Sequence, residues 1–556
     1  MCGLKIIANK YENLYEFLIN FCRVKSIVGS PDGENKAAQF MYDNLSQLTY
    51  FKNNPGNIWL DALEADPMGR VNFCAFVEAK KETKKTVVLI GHIDVVNTDV
   101  CGEFSDLAFE PEAYTEKMKV IDIPDEAKAD LNAGGWLFGR GVSDMKSGLT
   151  VLCGIFAEMS EKTEELNCNY LLLGLADEEN NGFGIHQAVK TMSKMVSDKE
   201  LDFICCIDAE PTITSEEKDI ARMYLGTIGC ATPFAVCIGK ESHVGEYFEG
   251  VNANLIASFL NILAEGDPLT SDEWKGVRYS PQTCLKFQDM RQGYSVTLPE
   301  RSVLCYNVLM IKRTAGEILH YFAEKAEIAM NNAVAHIKER RNKLFNEGVS
   351  TLPEISYSTQ VIYYSELVEA VEKKTGKKHE DIAAEFFAGI DPSLDSQDRG
   401  IALVNKFIDM ADLDGVKVVI GFLSPYCQSR VNYRKTEREQ LLINSAQSVK
   451  DWFENNYKKP LVISEIYEGI SDMSELGFQD SREQLDFITS NLVGYKTDIK
   501  TPFESMIALD VPVINIGPIG KDAHKMTERV YLPYAFGVLP EQIKMFLDFY
   551  IAGLGK

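Results

Sequence analysis

The chain has 556 residues, of which 45% are hydrophobic and 25% charged, a balance typical of a globular protein with about two to four structural units. Lys and Arg number 57 and Asp and Glu number 82, so the formal charge at pH 7 is 57 − 82 = −25. A surface with this excess of carboxylates repels phosphate backbones and anionic lipid headgroups, which excludes nucleic acid and membrane surfaces as expected partners.

The first 225 residues alternate between short apolar segments and helical patterns. The apolar, β-branched segments predict buried strands at 71–77, 86–90, 170–176 and 203–207, and the intervening patterns predict helices at 34–48, 147–159 and 185–195. This alternation is typical of an α/β sheet whose faces are covered by helices.

From Gly226 the pattern changes to a β-α-β-α order. It predicts a strand at 232–238, a helix at 252–263, a strand at 294–311 and a helix at 315–343, followed by a charged, mostly helical stretch at 364–412, a strand at 416–422 and a helix at 438–457. The α/β pattern then returns, with a strand at 511–516 and a helix at 539–554. We therefore expect a catalytic domain in two parts, 1–225 and 451–556, interrupted by an inserted α+β lid domain at 226–450.

The thirteen cysteines are spread along the chain without a repeated spacing. An odd number of cysteines without a signal peptide favours free thiols in a reducing compartment over a disulfide framework. No apolar run approaches the roughly 20 residues that a membrane-spanning helix needs. We therefore expect a cytoplasmic protein without a transmembrane segment.

Potential metal ligands follow four of the predicted strands, three groups directly and His524 shortly after its strand. They are His92 and Asp94 after 86–90, Asp177, Glu178 and Glu179 after 170–176, Asp208 and Glu210 after 203–207, and His524 after 511–516. Because sites in open α/β sheets form at the carboxyl ends of strands, these side chains can converge. A glycine-rich turn at 139–148 presents Asp144 at the start of a helix, where its carboxylate can bridge two cations.

Two imidazoles and several carboxylates suit zinc, manganese or cobalt, whereas the cysteines do not line up with them. Two such metals about 3.5–4 Å apart would hold a water and a substrate carbonyl together. Of the adjacent pair Glu178 and Glu179, one can ligate while the other takes the proton of the water. Asp208 is a rival to Glu210 as a ligand, because both lie on the same side of an extended segment.

The motifs Gly-His-x-Asp-Val-Val, Gly-Arg-Gly-x-x-Asp-Met-Lys-x-Gly, Asp-Glu-Glu, Glu-Pro and a late His-x-x-x-Glu occur in this order. Together they resemble the co-catalytic zinc metallopeptidase family that includes glutamate carboxypeptidases, aminoacylases and succinyl-diaminopimelate desuccinylase. The resemblance implies a zinc-peptidase-like mixed sheet flanked by helices, and two divalent metal ions, zinc in the first place and cobalt or manganese as alternatives. It implies that Asp144 bridges the metals, that His92 and Glu210 hold one of them, and that Glu179 and His524 hold the other.

The resemblance also implies how the remaining residues act. Glu178 would be the general base, a metal-activated water the nucleophile, and Asp94 the partner of His92. His243, within Gly-x-x-x-His-x-Gly, matches a family histidine that polarises the substrate carbonyl from the lid. In many relatives this histidine reaches into a neighbouring subunit, which implies a homodimer, although the inserted region of this chain looks larger than usual.

The substrate class follows from the resemblance rather than from single residues. It implies cleavage of an amide bond in a small peptide or an N-acyl amino acid, and the segments 239–245 and 469–474 look most like an arginine-utilisation member of the family, which implies arginine or amino-acid catabolism. Asp472, in the second segment, can line the pocket or cap a helix. The alternative function is that of a catalytically silent metal-binding or regulatory relative, which would lack a ligand or the base.

Overall fold

The chain forms two compact units in the computed structural model, which describes residues 11–64, 66, 68–212, 220–347, 357–391, 394–413 and 415–555. The first unit takes its residues from Met1–Ile228, Arg430–Gln479 and Pro502–Lys556. The second takes its residues from Gly229–Ser429 and Asp480–Thr501.

These units differ from the predicted division at 226–450 in two places. The chain returns to the first unit at Arg430, so the predicted helix at 438–457 belongs there, and Asp480–Thr501 goes back to the second unit. The apolar residues of that helix, including Leu442 and Phe453, belong to the core of the first unit. An amphipathic helix shows the same pattern whichever core it covers, so its sequence could not assign it to a unit.

The strands, in chain order, are β1 (Ile58–Ala62), β2 (Val71–Val77), β3 (Lys85–His92), β4 (Trp136–Phe138), β5 (Asn169–Leu175), β6 (Asp202–Asp208), β7 (Ala221–Tyr224), β8 (Gly226–Thr227), β9 (Gly229–Ile238), β10 (Glu273–Trp274), β11 (Val277–Arg278), β12 (Thr283–Asp289), β13 (Arg301–Met310), β14 (Thr359–Tyr363), β15 (Val416–Cys427), β16 (Arg430–Val431), β17 (Leu461–Ser464), β18 (Val513–Asn515), β19 (Gly520–Lys521) and β20 (Arg529–Tyr531).

The α-helices are α1 (Tyr11–Cys22), α2 (Pro31–Leu45), α3 (Thr49–Asn53), α4 (Pro111–Met118), α5 (Asp125–Ala133), α6 (Lys146–Glu161), α7 (Phe183–Lys199), α8 (Ala253–Ala264), α9 (Ala315–Asn346), α10 (Tyr364–Thr375), α11 (His379–Gly389), α12 (Ser396–Ala411), α13 (Glu437–Tyr457), α14 (Arg482–Asn491), α15 (Phe503–Leu509), α16 (Leu532–Gly537) and α17 (Leu539–Gly553). Among the helices of the described residues, none combines the length and the apolar character needed to cross a membrane.

The first unit is built on an eight-stranded sheet in the order β1-β2-β5-β3-β6-β18-β7-β17. Strands β5, β3, β6 and β18 run parallel to one another, while β1 and β2 are antiparallel to their neighbours. The central strands are buried along nearly their whole length, and α6 and α7 pack against them. The predicted mixed sheet flanked by helices is therefore confirmed, and the carboxyl ends of four parallel strands lie at one edge.

The second unit has a five-stranded sheet in the order β12-β13-β9-β15-β14. Helices α8 and α9 pack against β9, β13 and β15, which gives an α+β unit. The predicted strand at 294–311 begins too early, because β13 starts only at Arg301 and the residues before it, from Gly293 with φ +78° onwards, form a connection from the edge strand β12. Strand β12 was not predicted, because its residues alternate between exposed and half-buried positions without a continuous apolar face.

Candidate metal centre

The proposed ligands meet at the carboxyl edge of the parallel strands. His92 is the last residue of β3, Glu178 and Glu179 follow β5, and Glu210 follows β6. Because β5, β3 and β6 are neighbours in the sheet, three loops that are far apart in sequence deliver their side chains to one place. Within the described part of the chain, two overlapping groups have ligand atoms within 4.8 Å of one another: His92, Asp144 and Glu179, and His92, Glu178 and Glu210.

The carboxylate of Asp144 lies between the two imidazoles. Its Oδ1 is 3.0 Å from Nε2 of His92 and its Oδ2 is 3.1 Å from Nε2 of His524. Nε2 of His524 is also 3.0 Å from the carboxylate of Glu179, and Nε2 of His92 is 3.5 Å from Oε1 of Glu210. A carboxylate with one oxygen directed at each of two imidazoles has the geometry that a bridging ligand requires.

The turn before α6 can carry Asp144 because glycine lets the chain pack closely there. A Cβ atom on Gly148, in the first turn of α6, would lie 1.9 Å from the carbonyl oxygen of Ala209. The helix start therefore packs directly on the segment between Asp208 and Glu210. The glycine brings the Asp144 turn and the Glu210 segment together.

Two of the site loops contain residues with left-handed backbone. Asp177, directly before the acidic pair, has φ +67°, and His524 has φ +66°. Such a conformation costs a non-glycine residue of the order of 1–3 kcal/mol and is concentrated at functional sites. Surrounding contacts must therefore hold both loops.

Asp94 contacts His92 in a different way from the one expected. Nδ1 of His92 is 3.0 Å from the backbone carbonyl of Asp94, and the carboxylate is more distant, at 3.8 Å. When Nδ1–H donates to that carbonyl, Nε2 keeps its lone pair for a cation. The carboxylate of Asp94 instead accepts the backbone N–H groups of Glu178, at 3.3 Å, and Glu179, at 3.1 Å. Asp94 thus orients both the histidine and the acidic pair.

A buried ionic network supports the acidic pair from behind, and sequence reasoning missed it. Arg70 pairs with the carboxylate of Asp177 and contacts the carboxyl group of Glu34, whose Oε1 accepts the backbone N–H of Asp177 at 3.1 Å. All three side chains are almost inaccessible to solvent. The partners lie 36 and 107 positions from Arg70, so no local motif reveals them.

The electrostatics of the centre show a surplus of carboxylates. Burial raises the pKa of Glu178 and of Glu210 well above the usual range, and neighbouring carboxylates raise both further, although His92 acts to lower them. Burial lowers the pKa of His92, but Glu210, Asp144 and other carboxylates outweigh it and leave the pKa well above its ordinary value. Hydrogen bonds to Asp144 and Glu179 raise the pKa of His524 to about 10. The raised pKa values of both imidazoles thus reflect a surplus of negative charge that divalent cations would neutralise.

The donor set fits two divalent cations. It offers two imidazole nitrogens and carboxylate oxygens without a thiolate, the combination that zinc, cobalt and manganese accept. Glu210 fits better than its rival Asp208, because it belongs to one of the two ligand groups, whereas Oδ1 of Asp208 accepts the N–H of Ala209 at 2.8 Å. The side chain of His524 is 51% exposed, while those of the other proposed ligands are 13% exposed or less.

His243 belongs to the second unit and is described there by itself. It directly precedes a 3-10 helix, Val244–Glu249, and its Nδ1 accepts the N–H of Gly245 at 3.1 Å. The imidazole is exposed. Its Nε2 is therefore free of this local hydrogen bond, and its expected catalytic role stays a prediction.

Asp472 lies in the first unit and is not a helix cap. It is the first residue of a 3-10 helix, Asp472–Leu476, and makes no capping hydrogen bond. Its side chain is buried, and its Oδ2 has no hydrogen-bond partner among the described residues. Of the two interpretations of Asp472, pocket lining and helix capping, the structure does not support helix capping.

Comparisons with known proteins agree with the motifs. The sequence profile of "Peptidase family M20/M25/M40" matches residues 88–547. The protein YqjN from Bacillus subtilis is 31% identical over 550 residues, which cover 98% of this chain and 97% of that protein. The protein RocB from Bacillus subtilis, the family member that segments 239–245 and 469–474 resemble, is 26% identical over 534 residues, covering 96% and 93%.

A solved structure gives the same fold. The di-peptidase Dug1p from Saccharomyces cerevisiae superposes with a TM-score of 0.54 at 11% sequence identity, over 97% of this chain and 96% of that chain. At this identity the likeness shows the fold alone. It agrees with the mixed sheet flanked by helices.

Proposed function

Because the chain belongs to peptidase family M20/M25/M40, we propose that it is a two-metal hydrolase that cleaves an amide bond of a small peptide or an N-acyl amino acid. As a family member it is a metal-dependent peptidase or aminoacylase. The observation that carries the proposal is the position of Asp144, whose two oxygens lie 3.0 and 3.1 Å from the imidazoles of His92 and His524.

These contacts support the ligand assignment that the family resemblance implies. Asp144 would bridge the metals, His92 and Glu210 would hold one, and Glu179 and His524 the other. We propose zinc as the metal, with cobalt or manganese as alternatives, because all three accept this donor set. When bound, the metal ions supply Lewis-acid polarisation of a water molecule and of the substrate carbonyl.

Glu178 is the proposed general base. Its carboxylate is oriented through the backbone by Asp94 and lies 3.9 Å from Nε2 of His92. It belongs to the same group of side chains as His92 and Glu210, and the family resemblance assigns it to proton transfer. It accepts a proton from the attacking water and then donates this proton to the leaving amine nitrogen. A group with a high proton affinity suits both steps, because proton transfer is most efficient when the pKa lies near the working pH.

We propose that His243 polarises the substrate carbonyl. This role rests on its sequence motif.

We also propose that the protein forms a homodimer. Strand β12 is the edge strand of its sheet and exposes Leu285 and Phe287, and an unpaired edge with apolar side chains can pair with a second copy. Light scattering tests this, since a mass of one chain at micromolar concentration would contradict it.

The proposed place in arginine or amino-acid catabolism rests on the sequence resemblance to an arginine-utilisation member of the family. A cytoplasmic location stays a prediction, and the free thiols of the described cysteines are compatible with it. Neither affects the chemistry of the site.

The proposed function is tested by screening the zinc-loaded protein against dipeptides and N-acyl amino acids, with product detection by mass spectrometry. We expect release of a free amino acid from one of these classes, and loss of this release on chelation. A protein that binds two metals and releases nothing from either class would instead be the silent metal-binding relative.

A further inference from the structure

Glu528 connects the two segments that carry Asp144 and His524. Its Oε1 accepts the backbone N–H of Ser143 at 3.2 Å and that of Asp144 at 3.3 Å, and its Oε2 pairs with Arg140. The backbone carbonyl of Glu528 also accepts the N–H of Gly139 at 3.1 Å. One residue therefore makes four contacts with the turn that presents Asp144.

The other end of this connection is short and firmly held. Glu528 follows His524 by four positions, and its N–H donates to the carbonyl of Lys525 at 3.2 Å. Within the same loop, Oγ1 of Thr527 donates to Oδ2 of Asp522 at 2.8 Å, and Arg529 pairs with the same carboxylate. A displacement of Glu528 would therefore be transmitted to His524.

The buried ion pair between Glu528 and Arg140 is costly in free energy, so its presence beside the Asp144 turn requires an explanation. The side chains of Glu528 and Arg140 are each 2% exposed, and taking two charges out of water carries a desolvation cost that the pair does not always recover. An apolar pair would fill the same volume but would leave the N–H groups of Ser143 and Asp144 without an acceptor.

We propose that Glu528 is a positioning residue for the two-metal centre. The carboxylate of Glu528 fixes the backbone of Asp144 relative to His524, so that the two oxygens of Asp144 lie close to the imidazoles of both His92 and His524. The inference rests on the proposed two-metal function and adds a residue that lies outside the candidate ligand groups. Partners that orient the ligands of a metal site typically change metal affinity about 10–100-fold when they are replaced.

The chain contains a matched control in the same unit. Glu439 is also buried, pairs with the buried Arg430 at 3.5 Å, and accepts the backbone N–H groups of Lys435 at 2.9 Å and Thr436 at 3.4 Å. It reproduces the contacts of Glu528, but none of its partners is a proposed ligand or a neighbour of one. A purely structural role of Glu528 would make the two residues equivalent.

The test compares variants that differ only in the acceptor. Because an unpaired buried arginine would destabilise the fold, Arg140→Met is combined with either Glu528→Gln or Glu528→Met, two side chains of similar length of which only glutamine keeps an oxygen. Arg430→Met with Glu439→Gln or Glu439→Met forms the control set. Zinc binding to the chelator-stripped full chain is measured by calorimetry, with thermal unfolding as the measure of folding.

We expect the Glu528→Met double variant to bind at least one zinc ion about 10–100-fold more weakly than the Glu528→Gln double variant, while both control variants bind two zinc ions with wild-type affinity. Equal affinities in the two Glu528 variants would overturn the inference. If the wild-type chain itself bound no zinc, the proposed function would fail and not merely this inference.

A single variant covers the case in which a double variant does not fold. Glu528→Asp keeps the charge beside Arg140 but withdraws the carboxylate by one methylene from the N–H groups of Ser143 and Asp144. We expect a changed visible absorption spectrum of the cobalt-loaded protein, because this spectrum reports ligand geometry, together with weaker binding of cobalt. A spectrum and an affinity equal to those of the wild type would contradict the positioning role.

Discussion

At the residue scale, the proposed site assigns metal binding and proton transfer to different side chains, with Glu178 as the proton-transfer group. Glu178→Gln removes the proposed base and keeps the volume of the side chain, so we expect kcat to fall by about a hundred- to ten-thousand-fold while two metal ions remain bound. Turnover and metal content measured on the same sample check this. Glu439→Gln, a buried glutamate of the same unit with no ligand contact, controls for loss of stability. Retained turnover in the Glu178 variant would refute the assignment.

The two histidines allow a test of metal number. His524 contributes the only imidazole proposed for its metal and contacts Asp144 and Glu179, so His524→Ala should lower the zinc content from two ions per chain towards one. Inductively coupled plasma mass spectrometry measures this. His379→Ala, whose imidazole pairs with Glu372 in the second unit, should leave the content unchanged. Two tightly bound ions in the His524 variant would exclude this ligand.

Glu34 gives the metal-free protein a pH-dependent stability. Burial raises its pKa from 4.5 to about 8, so the folded state keeps a proton that the unfolded state loses above pH 4.5. The contribution of Glu34 is therefore fully present below pH 4.5 and is lost as the pH rises to about 8. Urea unfolding across this range should show a smaller loss in Glu34→Gln than in the wild type. Equal pH slopes would contradict the raised pKa.

Sequence reasoning found the residues that follow strands and missed those that support them. His92, Glu178 and Glu210 could be predicted because strand ends mark the edge of a sheet where sites form. Arg70 and Glu528 could not, since their partners lie far away in the chain and a buried ion pair has no local pattern. The contact between His92 and the backbone of Asp94 was also out of reach, because a sequence does not distinguish a carbonyl from a carboxylate as the hydrogen-bond acceptor.

At the element scale, the packing of α6 on the Glu210 segment depends on Gly148. A Cβ atom there would meet the carbonyl of Ala209 at 1.9 Å, so Gly148→Ala should destabilise the fold by about 1–3 kcal/mol, as overpacking does, and weaken zinc binding. Gly389→Ala, in α11 with no atom within 4 Å of the new methyl group, should be neutral or stabilising. Denaturant unfolding and calorimetry measure both variants. Wild-type stability and zinc affinity in the first would contradict the close packing.

The elements that were predicted best are those buried on both sides. Strand β2 has the bounds that were predicted, and β3, β5 and β6 differ by one or two residues at their ends, because a short, continuous apolar run rich in β-branched residues is typical of a strand that is covered on both faces. Half-exposed elements such as β1 and β12 lack this signal and were missed. The sequence therefore predicted the strands that carry the proposed ligands and did not predict the edge strands β1 and β12.

At the scale of the whole molecule, motif order was more informative than composition. The charge of −25 argued against some classes of partner but pointed to no activity, whereas five short motifs distributed over the chain indicated the family, which the profile match over residues 88–547 confirms. The domain boundaries were harder to predict. The second unit includes a separate segment, Asp480–Thr501, and no change in the hydrophobic pattern of the sequence marks where it begins or ends.

The central claim is that Asp144 joins two metal ions held by residues from both ends of the first unit. Anomalous X-ray diffraction from crystals of the zinc-loaded protein tests it most directly. We predict two zinc peaks about 3.5–4 Å apart, with the carboxylate of Asp144 between them, His92 on one and His524 on the other. A single peak, or zinc bound away from these side chains, would contradict the account.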